Sequence, residues 1–172
     1  MDIKKELKKY IELNFEKDEP IKARSFVVDK IVKKIDVFYE AETYTDELSP
    51  NLDEYLKQEK EESKFQKLLF KYIDSRNLKD SDVYNKVNID RRLFSKIRNE
   101  ENYHPSKETV ILLSLSLELN EDEMLSLLNS ASYSLPKNNI FDLIIRFCFI
   151  NKIYDLTKVN DLLYEYNCKT LN

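Results

Sequence analysis

Residues 80–107 read DSDVYNKVNIDRRLFSKIRNEENYHPSK, and the fold turns on this stretch. Val83 and Val87 recur four apart, so the spacing predicts a short helix over residues 81–87 with both valines facing inward. Asn88 stands where the chain must turn, and asparagine accepts left-handed backbone better than other residues that carry a side chain. Asp90 is placed as an N-cap, its carboxylate able to accept from the open amides of the next first turn. From Arg91 to Asn99, Phe94 and Ile97 mark an inward side and leave Arg91, Arg92, Ser95, Lys96 and Arg98 on the other. Two short helices about a tight turn, the second with a basic outer side, make the pattern of a helix-turn-helix that reads a DNA groove.

Outward from this stretch the chain continues in helical signals. Phe65, Leu68, Leu69, Tyr72 and Ile73 share one side of a preceding helix. After a polar loop from Glu100 to His104, Pro105-Ser106 opens a helix over residues 107–119, with the Ser106 hydroxyl placed to accept from the Thr109 amide. Val110, Leu113 and Leu117 form its stripe, and Asn120 with Glu123 makes a cap-like pair before Met124, Leu127 and Leu128. Five short helices are thus expected in a domain over residues 63–135. Past Pro136, residues 136–172 read as a helical hairpin: Ile140, Leu143, Ile144 and Phe147 face one way, then Asp155 opens a helix with Val159, Leu162, Leu163 and Tyr166. Too small to fold alone, the hairpin must dock on the domain or on a second subunit.

Residues 1–62 form a third region, helical at first and acidic at its end. Ile3, Leu7, Tyr10, Ile11 and Phe15 give an amphipathic helix whose outer side carries Lys4, Lys5, Lys8 and Lys9. A second apolar series, Phe26, Val27, Ile31, Ile35 and Phe38, favours helix, although its β-branched run leaves strand open. Residues 40–51 read as loop.

Composition agrees with an all-α chain. Glycine is absent, against an average near 7%, so phosphate-cradling loops and tight hairpins are disfavoured. Cys148 and Cys168 fit no metal or redox spacing and read as reduced thiols. No signal peptide is visible, and the apolar run from Ile140 to Ile150 is broken by Asp142 and Arg146, so a soluble, cytoplasmic protein without membrane contact is expected. His104 is the only histidine and has no ligand-spaced companion, while the carboxylates lie on outer sides or in charge runs; neither catalysis, a cofactor nor a metal is expected. Net charge is -4, but it is segregated: residues 39–63 hold nine acids and two lysines, residues 64–100 ten bases and five acids, residues 101–136 six acids and one lysine. The basic excess coincides with the helix-turn-helix and the helix leading into it. The acidic stretch 40–62 reads as a solvated linker, with masking of the basic helix or mimicry of nucleic-acid charge as the alternatives.

Residues 65–133 resemble the five-helix DNA-binding domain of lambda repressor, Cro and the xenobiotic-response-element-type regulators. The residues that carry it are Ile89, Asp90, Arg91, Arg92, Phe94, Ser95 and Ile97, then Pro105-Ser106 and the leucine-rich helix behind them. More narrowly, residues 64–171 resemble a small bacterial module of uncertain role found alone or beside macro domains, through residues 80–84, 90–98 and 141–145. The resemblance implies that Arg91, Arg92, Ser95 and Lys96 face the major groove of double-stranded DNA, with Lys79, Ser81, Asn102 and Tyr103 near phosphates. Two positions depart from it. Tyr84 replaces a small alanine where the two helices approach, so a wider crossing or an outward ring is expected, and Asn88 replaces the turn glycine. Because one short helix reads few base pairs, a homodimer on paired half-sites is implied. The other reading is a non-enzymatic adaptor that uses the same fold to hold a protein partner in phage defence or stress response.

Overall fold

The computed structural model describes residues 3–16, 64–100 and 103–171. Among them all regular structure is helical: α1 Ile3–Asn14, α2 Lys64–Ser75, α3 Asp80–Lys86, α4 Arg91–Asn99, α5 Lys107–Ser116, α6 Glu121–Ser130, α7 Ile140–Ile150 and α8 Leu156–Glu165, with no strand. The second apolar series, the loop at 40–51 and the acidic stretch 40–62 lie outside the described residues.

Each cap that the sequence marks is made. Ser106 Oγ accepts from the Thr109 amide at 3.1 Å, and Asn120 and Glu123 form a full capping box. Asp155 Oδ1 accepts from the Lys158 amide. Asn139, which the sequence pattern does not mark, also caps, its Oδ1 accepting from the Phe141 amide. The other ends are stopped by a device repeated six times. Two residues past α2, α3, α5, α6, α7 and α8 stand Asn77, Asn88, Glu118, Ser132, Lys152 and Asn167, all with φ between 51° and 60°. In every case the next amide reaches back five residues to a carbonyl of the last turn, as Leu78 to Ile73, Ile89 to Tyr84, Leu119 to Ser114 and Ile153 to Cys148. Such Schellman endings normally use glycine, and this chain has none. The left-handed residue at Glu118 is also why α5 stops at Ser116, short of the residue 119 that its leucine periodicity suggests.

Helix α5 is the axis of the packing. Every residue from Thr109 to Ser116 is buried, so the helix has no solvent side. Its two inner serines are satisfied, Ser114 Oγ donating to the Val110 carbonyl and Ser116 Oγ to that of Val83 on α3 at 2.6 Å. Around it α3 and α6 pack directly, α6 meets α2 and α7, and α7 carries α8. The C-terminal hairpin therefore docks on the central helices, and one hydrophobic cluster runs from Leu7 to Leu171. Helix α1 lies on α7, with Tyr10 and Phe147 rings 5.5 Å apart. Both cysteines are free, and burial pushes the Cys148 thiol up to about 12. No helix among the described residues is long and apolar enough to cross a membrane.

Candidate nucleic-acid interface

Helix α4 begins at Asp90, whose Oδ1 accepts from the Arg92 amide at 2.6 Å and the Leu93 amide at 3.4 Å. Its carboxylate satisfies amides that would otherwise lack acceptors and sets negative charge at the positive end of the helix. Before it, Asn88 takes φ 56°, the left-handed turn expected of it.

The inner side of α4 is held at three points. Phe94 and Ile97 are buried, and the Phe94 ring sits between Tyr84 at 5.6 Å and Phe70 at 6.3 Å. Tyr84 is half-buried, so this departure from the resembled pattern becomes an aromatic packing partner of α4 rather than an outward ring. At the far end, Gln66 Nε2 donates to the carbonyls of Ile97 at 2.7 Å and Glu100 at 2.8 Å, filling acceptors that a helix end leaves open.

The outer side divides into free cations and engaged groups. Arg91, Arg92 and Lys96 are exposed, and none enters an ion pair seen among the described residues. Ser95 is exposed on the same side, its hydroxyl accepting from Asn99 Nδ2 at 3.1 Å. Arg98 differs. Its guanidinium lies 4.0 Å over the Phe70 ring and pairs with Asp80 at the start of α3, so it clamps α4 to α2 and α3. Lys79 is exposed just ahead of α3, and Ser81 Oγ donates to Asp82 Oδ1 at 3.4 Å. Tyr103 is half-buried against the core and its amide donates to the Glu100 carbonyl. Asn102 lies outside the described residues.

Three contacts escaped the sequence reading. Gln66 to the end of α4, Arg98 to Asp80 and Lys86 Nζ to the Ser116 carbonyl join residues 18 to 34 apart, and no local pattern marks such pairs. His104 packs edge-on to Tyr133 at 5.3 Å, and the Tyr133 hydroxyl donates to the Pro105 carbonyl. The arrangement as a whole offers a short helix braced on its inner side, with two guanidinium groups and one ammonium directed to solvent. Comparison with known protein families, curated proteins and solved structures gives no match for this chain.

Proposed function

We propose that the chain is a DNA-binding transcriptional regulator whose α4 enters the major groove, within a helix-turn-helix domain of the lambda-repressor type spanning residues 63–135. The observation that carries the reading is the split of α4: Arg91, Arg92 and Lys96 are solvent-directed and unpaired among the described residues, while Phe94, Ile97 and Arg98 fasten the helix to its neighbours. A braced rod with free guanidinium groups suits guanine O6 and N7, which Arg engages through two parallel hydrogen bonds. Ser95 adds a hydroxyl between the cations, and Lys79, Ser81, Asn102 and Tyr103 are assigned to phosphates. Arg98 moves from groove reading to positioning, because its charge already has a partner and a ring beneath it. The protein acts as a homodimer in the cytoplasm and needs neither cofactor nor catalysis.

The test is the pair Arg91→Glu with Arg92→Glu. Neither side chain contributes to the core, so the helical signal should be unchanged. Retention on a pool of random duplexes at low salt should be lost, and wild-type binding should weaken steeply as salt rises, with a slope of about 0.9 per phosphate neutralised. Selection of bound duplexes at physiological salt should enrich an inverted repeat. Wild-type protein that binds no duplex even at low salt defeats the reading, and the adaptor reading, favoured by the net charge of -4, then takes its place.

A further inference from the structure

The outer stripe of α1 runs Lys5, Lys9 and Glu12, residues spaced four and three apart and therefore aligned along one side. Its inner side, Leu7, Tyr10, Ile11 and Asn14, is turned toward the core. Charge along the outer stripe is divided, with lysines in the N-terminal half and Glu12 in the C-terminal half. This order opposes the helix macrodipole, which favours acids at the start and bases at the end. The last turn has no base, and Glu6 is the one acid of the first turn. Beside the stripe Leu13 is 75% exposed. A neighbouring copy of α1 running in the opposite direction corrects the charge at both ends and covers the leucine.

We propose that α1 joins two copies of this chain, lying antiparallel to its symmetry mate across a two-fold axis near the middle of the helix. In that register Lys9 faces Glu12 of the partner subunit, and Glu12 faces Lys9 of the partner subunit. Leu13 of each copy lies against the aliphatic stem of Lys8 of the other. The contact is isologous, so each pair is made twice. Lys9 and Glu12 are both exposed and enter no ion pair seen among the described residues. Glu12 also chooses the partner: a phosphate backbone repels it, whereas a second copy neutralises it. One short helix buries little surface, so the dimer is weak and sensitive to salt.

The inference deepens the paired half-site reading, but its test contains no nucleic acid, so the two stand or fall separately. Sedimentation of the full chain at low ionic strength, over a concentration series, should show reversible self-association. Lys9→Glu alone and Glu12→Lys alone should each weaken it about tenfold, because like charges then meet twice. The two single variants mixed together should associate as the wild type does, since every facing pair is again of opposite sign. Wild-type protein monomeric throughout, single variants that associate normally, or a mixture no better than its components would each overturn the proposal.

Discussion

Lys107 Nζ lies 2.7 Å from Oδ1 of Asp142, tying the start of α5 to the start of α7 through a carboxylate whose side chain is 1% exposed. The second oxygen, Oδ2, has no hydrogen-bond partner among the described residues. Burial raises the Asp142 pKa above its ordinary value, and the hydrogen bond and charge of Lys107 pull against it without cancelling it. Removing Lys107 leaves a buried charge without compensation. Lys107→Met should lower stability at neutral pH by about 2–3 kcal/mol, somewhat below the figure for fully buried pairs because Lys107 keeps contact with water. Adding Asp142→Asn should recover most of that loss. Urea unfolding of the four proteins checks the coupling, and purely additive losses would show that the pair is not an energetic unit.

The same carboxylate gives stability a pH dependence of known sign. Its folded pKa is above the unfolded one, so its contribution is fully present at acid pH and is lost as pH rises through the folded value. The stability of the wild type relative to Asp142→Asn should therefore increase as pH falls from neutral into the carboxylate range. Denaturant titrations of both proteins across that range measure the difference, and a flat difference curve refutes the account.

Lys152 holds φ 55° two residues past α7 and takes part in no ion pair seen among the described residues. A side chain in left-handed backbone is disfavoured by about 1–2 kcal/mol, and glycine escapes this while adding freedom to the unfolded chain. Lys152→Gly should raise stability by about 0.5–1 kcal/mol. Glu118→Gly should gain less, because it also loses the ion pair with Lys86. Thermal unfolding ranks the two, and a lower midpoint for Lys152→Gly would contradict the strain argument.

Arginines seven residues apart on α4 should fail in different assays. Arg98→Ala removes a stacked ring contact and a partly exposed ion pair, so it should cost about 1 kcal/mol of stability. Arg91→Ala should change stability by no more than about 0.5 kcal/mol yet weaken duplex binding, with a smaller salt slope. Equal stability losses for both variants would show that Arg91 is also braced against the protein.

Local signals in the sequence were sufficient for most of the described helices. Asp90, Ser106, Asn120 and Asp155 each cap within three residues of themselves, which is why α4, α5, α6 and α8 start where the pattern places them. Phe94 and Ile97 fall inward because a period of 3.6 leaves no other side for them. The ends were harder to read, since Glu118, Ser132 and Lys152 do not signal a left-handed stop as glycine does. Arg98 could be put on the outer side of α4 by periodicity, but its union with Asp80 and Phe70 depends on how three helices meet. Tyr84 likewise needed the position of Phe94 before its ring acquired a role.

The seat of α1 on α7 sets an order of events. Tyr10 leaves the ribosome long before Phe147, the ring it will rest against, has been made. Until then Leu7 has no shelter from α7, and the entropy of closing so long a loop falls on the final stage of folding. A nascent chain halted before residue 140 would hold a finished α4 and an orphaned first helix, an arrangement open to chaperone capture.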